Sequence, residues 1–141
     1  MEQTKGYENK LNSLKQALSS FKQAIDIDTS ILGEIEKDTI KSGQAQKFEV
    51  CVELFWKTIK KFLYEIHGIE SVSPKIVMKQ LYRSKYVDER SYERLVEMIN
   101  DRNRLSHVYN EAQFNEIHRR LLEYQNMMSE IANGIQATSW I

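Results

Sequence analysis

The N-terminal segment carries Tyr7, Leu11, Leu14, Leu18, Phe21 and Ile25 at spacings that alternate between four and three. That pattern predicts one apolar stripe on an α-helix, with Lys10, Lys15, Gln16, Lys22 and Gln23 mostly off it. Asp26, Asp28 and Thr29 weaken the pattern, and Ile31, Leu32, Ile35 and Ile40 leave residues 28–43 open between loop and short helix. A second helix is expected from near Gly43 to Gly68, where a glycine can close it in the left-handed conformation. Phe48, Phe55 and Phe62 recur every seven residues with Val52, Ile59 and Ile66 between them. Cys51, Leu54 and Leu63 widen that stripe, so this helix should be deeply buried.

Ser73-Pro74 reads as an N-cap followed by proline at the first helical position, opening a short helix to Tyr82 or Arg83. Another helix should begin near Asp88 or Ser91 and run through Leu95, Met98 and Ile99 towards His107. Asn110 and Gln113 have capping-box spacing. They predict a last helix along Phe114, Ile117, Leu121, Tyr124, Met128 and Ile131 that ends at Gly134, with 135–141 as a frayed tail. Nothing reads as a strand. The expected fold is all-α: an antiparallel four-helix bundle with an additional short helix, a single domain over residues 1–141 with its core within about 7–131. The apolar faces could also feed a dimer.

Composition narrows the function classes. The 141 residues hold 20 basic and 20 acidic side chains, and a general nucleic-acid coat would be strongly basic. One cysteine excludes an internal disulfide and points to a reducing compartment. No apolar run reaches the length of a membrane span, and the N-terminus has no apolar signal region. A cytoplasmic protein is the expectation. No HExxH or CxxC spacing suggests a metal, and no P-loop, dinucleotide glycine motif or serine-triad motif suggests a cofactor or acyl chemistry.

The helix over 88–110 breaks its own pattern. The stripe Tyr92, Leu95, Ile99 continues onto Arg102, Ser106 and Tyr109. An arginine facing a core is costly unless paired or wet. Either the stripe leaves the core near the bundle end, where arginine reaches water, or it lines a polar cleft. Residues 75–107 hold eight basic and five acidic side chains, a local +3, whereas 108–141 carry a local −2. Positive potential around the break suits a phosphate-bearing partner. On a straight helix Arg102 and His107 diverge by about 140°. They reach one ligand only if the helix loosens before Asn110 or a second subunit supplies the opposing pair. Asn103, four residues before His107, could fix the imidazole by a hydrogen bond. Tyr109 lies about 20° from Arg102 on a continued helix.

Other positions favour structural roles. Cys51 reads as a small core residue. Trp56 beside Lys57 and Lys60 could stack a base, but a core-edge ring is the simpler reading. His67 reads as a helix-end cap. His118, Arg119 and Arg120 read as outer-face residues, and Glu93 and Glu97 as surface charge.

The stretch Asp101-Arg102-Asn103-Arg104-Leu105-Ser106-His107-Val108-Tyr109-Asn110-Glu111 resembles the HEPN superfamily signature, an arginine and a histidine separated by four to six residues. Arg102 and His107 match it, and Tyr109 matches a longer form found in prokaryotic toxin–antitoxin members. Gln46 to Glu49 and Glu53 to Lys60 look like the second helix of the nucleotidyltransferase substrate-binding branch. Lys47 replaces a frequent arginine, and Leu105 a frequent small polar residue. The resemblance covers residues 7–131. It implies a homodimer built around the motif and a separately encoded minimal nucleotidyltransferase as partner. For catalytic members it implies metal-independent RNA cleavage, with His107 as acid/base and Arg102 as phosphate clamp; Asn103 and Ser106, read from their helix positions, are the supporting candidates. It also implies adenylylation of Tyr109 by the partner. Some members of the branch are substrate-binding subunits only, so a non-catalytic nucleotide- or substrate-binding role is the alternative.

Overall fold

In a computed structural model, residues 6–107 and 110–138 are described. Among them all regular structure is helical. The helices are α1 (Gly6–Ile25), α2 (Glu34–His67), α3 (Pro74–Arg83), α4 (Glu89–Leu105), α5 (Glu111–His118) and α6 (Leu121–Thr138). The chain forms an all-α bundle in which α1, α2, α4 and α6 are the long members.

The stripe on α1 became its buried face: Tyr7, Leu11, Leu14, Leu18 and Phe21 are all buried. It packs on α2 and α6. Both neighbours run antiparallel to it. Near the end of α1, Lys47 Nζ donates to Ser20 Oγ and Gln44 Nε2 donates to the Ala24 carbonyl, while Gly6 lies beside Lys61. On the other side Lys15 reaches Gln136 and Gln125 reaches the Leu18 carbonyl. Phe48, Phe55 and Phe62 are fully enclosed, each worth about 1.5–3 kcal/mol of transfer free energy. Phe48 stacks on Tyr124 at 5.5 Å between ring centroids, and Phe62 meets Tyr7 edge-on at 5.2 Å.

Several helix ends lie where local chemistry puts them. Gly68 closes α2 with φ 66°, and Pro74 opens α3 behind Ser73. Asp88 caps α4 by accepting from the Ser91 amide, and Asn110 caps α5 by accepting from the Gln113 amide.

Three expectations are corrected. The second helix begins at Glu34, not near Gly43. Its first turns stand away from the core, with Ile35 84% exposed, so they carry no inward stripe to announce them. The last helix does not end at Gly134; α6 continues to Thr138, and a Cβ on Gly134 would meet nothing within 4 Å. The stretch after Asn110 is two helices, because the chain tightens at Arg119 and Arg120, where the Arg120 amide donates to the Ile117 carbonyl three residues back. That turn delivers Arg120 to a carboxylate on α4, a tertiary pairing that the apolar periodicity does not encode.

Candidate functional site

Where α4 meets α5 and α6, its inward-facing acid is Asp101, 0% exposed. The residue expected to intrude on the core was Arg102; its side chain keeps 36% exposure. The inward stripe of α4 is Leu95, Met98, Ile99 and Asp101. Three partners satisfy the Asp101 carboxylate. Arg120 grips it with two prongs, Nε to Oδ2 at 2.8 Å and Nη2 to Oδ1 at 2.9 Å. Arg104 Nη1 donates to Oδ1 at 2.7 Å, and the Tyr124 hydroxyl donates to Oδ2 at 2.6 Å. Burial opposes ionisation of Asp101, but the hydrogen bonds from Arg120, Tyr124 and Arg104 outweigh it and hold its carboxyl below the ordinary range. The same bond to Asp101 raises the Arg120 guanidinium above its ordinary value. Burial, then the Asp101 contact, raises the Tyr124 phenol. Glu97 joins from the side, pairing with Arg94 and lying 3.6 Å from Arg120. Arg120 and Glu97 are therefore network members rather than outer-face charge.

This network floors a groove of about 830 Å³ lined by Asn103, Arg104, His107, Gln113, Glu116 and Arg120, among others. His107 is exposed in it. It sits in a turn beyond the end of α4, its amide donating to the Arg104 carbonyl at 2.9 Å. Asn103 lines the same groove, and Ser106 is the C-cap of α4, exposed. The helix thus stops at Leu105; Tyr109, for which the 20° relation was drawn, and Val108 lie outside the described residues.

Arg102 points elsewhere. Its Nη2 lies 3.2 Å from Glu53 Oε2 on α2. Glu53 also accepts from Trp56 Nε1 at 3.0 Å and pairs with Lys57 at 3.0 Å. Burial works against its charge, but the Trp56, Lys57 and Arg102 contacts leave its carboxyl below the ordinary range. Within one chain, then, the matched arginine and histidine serve opposite sides of α4. His107 shares its groove with Arg104 and Arg120 instead. An exposed imidazole beside two guanidiniums held by a buried carboxylate can bind a phosphate and move a proton next to it.

Sequence reasoning passed over Asp101, Arg120, Tyr124 and Glu53. Asp101 stood inside the quoted motif stretch, three residues before Arg104, and that spacing was the available signal. His118 was also misplaced: it is half-buried, with Nε2 2.6 Å from Gln44 Oε1. Cys51 is a buried core residue, as expected. His67, at the end of α2, touches the Tyr86 hydroxyl at 2.5 Å. Among the described residues no three His, Cys, Asp or Glu side chains gather to hold a metal, and no helix is long and apolar enough to cross a membrane.

The bundle has known counterparts. A protein from Thermus thermophilus superposes with a TM-score of 0.77 at 25% identity, over 86% of this chain and 98% of that one. A tri-AMPylated Shewanella oneidensis HEPN toxin, solved in complex with MNT antitoxin, superposes at 0.74 with 14% identity, over 96% of this chain and 99% of the other. A mutant of the toxin–antitoxin MntA–HpeT gives 0.73 at 14% identity, over 93% and 97%. At that identity the likeness to the toxins shows a shared HEPN-type helical fold. No curated protein matches the chain. The family described as nucleotidyltransferase substrate binding protein like matches residues 9–137, nearly the whole described bundle, and the chain belongs to that family.

Proposed function

We propose that this chain is the HEPN component of a nucleotidyltransferase–HEPN pair and acts as a toxin-type, metal-independent endoribonuclease controlled by adenylylation. The observation that carries this reading is the exposed His107 in a groove whose cations, Arg104 and Arg120, are held in place by buried Asp101. In the reaction a ribose 2′-hydroxyl loses its proton and its oxygen attacks the adjacent phosphorus. The bond to the 5′-oxygen breaks, and that oxygen takes up a proton. An imidazole, with one ring nitrogen that can accept a proton and one that can donate it, suits either transfer, and guanidiniums stabilise the charge gained by the phosphorane.

Since Arg102 and His107 flank opposite sides of α4 in one chain, the reading calls for a homodimer. Two copies meeting at the α4 ends would place Arg102 of one copy against the His107 groove of the other. Two histidines then share the acid and base roles. Control follows from Tyr109, whose hydroxyl would attack the α-phosphorus of ATP with loss of pyrophosphate. The AMPylated state of the Shewanella toxin, bound to its antitoxin, supports this part of the reading. An added adenylate brings a negative phosphate and a bulky base, which oppose RNA binding by charge and volume together.

The second reading is a non-catalytic subunit that presents substrate to the nucleotidyltransferase. The Arg102–Glu53 pair favours it, because Glu53 on α2 holds Arg102 away from the His107 groove of its own chain. Coexpression with the partner nucleotidyltransferase, followed by intact mass and RNA-cleavage assays of the separated protein, decides. Cleavage lost in His107→Ala with unchanged melting supports the ribonuclease. Absence of cleavage by the unmodified dimer supports the binding subunit. An adduct that persists in Tyr109→Phe removes Tyr109 from the control.

A further inference from the structure

A second groove, of about 500 Å³, lies across the C-terminal half of α2 and the 69–72 loop. Its volume is within the ~300–1,000 Å³ of small-molecule sites. It is lined by Trp56, Lys57, Lys60, Lys61 and Tyr64 of α2, by Lys10 of α1, and by Ser71 and Val72 of the loop. Trp56, Lys60 and Tyr64 follow one another at four-residue steps, hence at about 6 Å intervals on one face. The order along that face is aromatic, cation, aromatic. The Trp56 indole is fixed by its Nε1 bond to Glu53, and the Lys60 ammonium sits 5.9 Å from the ring centroid. Tyr64 is 57% exposed and Val72 82% exposed, so the apolar part of the groove faces solvent. Four lysines face one lining carboxylate, Glu70. Ser71 is 5% exposed, and its buried hydroxyl has no hydrogen-bond partner among the described residues. An orphan hydroxyl of that kind is a group a ligand can satisfy.

The geometry points to a nucleotide-binding site on this groove, with a base stacked on Trp56 or Tyr64 and its phosphates held by Lys57, Lys60 and Lys61. Lysines alone would suit any anion, and aromatic rings alone any flat apolar group. A nucleotide carries a π-face and phosphate charge at the spacing the α2 face offers, and stacking adds affinity without demanding one base. The same chemistry is presented by a free nucleoside triphosphate and by successive nucleotides of an RNA strand. The inference is independent of the ribonuclease reading, since none of these residues lines the His107 groove. The two are nonetheless linked: Glu53 accepts from Trp56, pairs with Lys57 and binds Arg102. An anion that draws Lys57 away leaves Glu53 to Arg102.

The test is calorimetric titration of the full chain at low salt with ATP, adenosine, inorganic triphosphate and a short oligouridylate. ATP or the oligonucleotide should bind, with triphosphate and adenosine each at least ~10-fold weaker. A double Lys60→Gln, Lys61→Gln variant should lose ~10-fold in affinity, and Tyr64→Ala several-fold, both with unchanged melting temperature. The matched charge change Lys75→Gln, Lys79→Gln on α3 should leave binding intact. Tighter binding of ATP assigns the groove to free nucleotide; tighter binding of oligouridylate assigns it to a strand. The proposal fails if nothing binds at about 1 mM, if triphosphate binds as well as ATP, if the α3 variant loses as much as the α2 variant, or if an acidic peptide competes as effectively as ATP.

Discussion

Arg120 and Asp101 form a two-pronged ion pair between the turn before α6 and the last turns of α4, with the carboxylate wholly buried. Without Arg120 the buried carboxylate keeps only Arg104 and the Tyr124 hydroxyl as partners. Arg120→Ala, which removes two charged hydrogen bonds, should therefore destabilise the fold by about 2–4 kcal/mol. Tyr124→Phe, which removes one hydrogen bond and keeps the ring stacked on Phe48, should cost about 1–2 kcal/mol. Denaturant titration of both variants measures the difference, and an Arg120→Ala cost no larger than that of Tyr124→Phe would show the pair to be dispensable.

Acid should weaken the protein in two windows. His118 is held below its ordinary value of 6.5, first by burial and then by the nearby Lys41. The unfolded chain accepts this proton more readily than the fold does. Stability is therefore full above about pH 6.5 and is lost as pH falls through the folded value. His118→Gln should flatten the stability curve in that window. Asp101, also depressed, gives a second loss below the ordinary aspartate value of about 3.9, as pH falls through its folded value. Urea midpoints measured from pH 8 to pH 3 check both.

Cys51 should be chemically silent in the folded state. Burial pushes its thiol up to about 12, against a weak opposing effect of Lys47, and the residue is fully enclosed. A thiol-reactive chromogenic reagent at pH 8 should leave it unmodified over hours and label it fully in denaturant. Rapid labelling of native protein would mean that α2 opens locally.

Two glycines should respond in opposite directions. Gly134→Ala lies inside α6 with open space around the new methyl, and should stabilise by about 0.5–1 kcal/mol. Gly68→Ala must adopt the left-handed cap at φ 66°, and should destabilise by about 1–2 kcal/mol. Thermal unfolding of the two variants gives the signs directly.

The stripes of α1 and α2, the Asp88, Asn110 and Gly68 caps and the Ser73-Pro74 start were all legible in the chain. Each is written within one or two helical turns, where spacing alone decides which side chains share a face and which amides need a cap. Arg102, His107 and Tyr109 stood out for the same local reason, as interruptions of a stripe and as a short motif. The pairings that organise the site were not legible. Asp101 meets Arg120 and Tyr124, and Glu53 meets Arg102, across long stretches of chain that carry no periodic trace of the contact. Only the packed bundle shows that α4 is rotated to bury Asp101 instead of Arg102, that the chain turns at 119–120 to bring a guanidinium to that acid, and that Arg102 and His107 part to opposite sides of their helix. A buried charge must find its counter-charge wherever the fold brings one, and that constraint belongs to the tertiary structure.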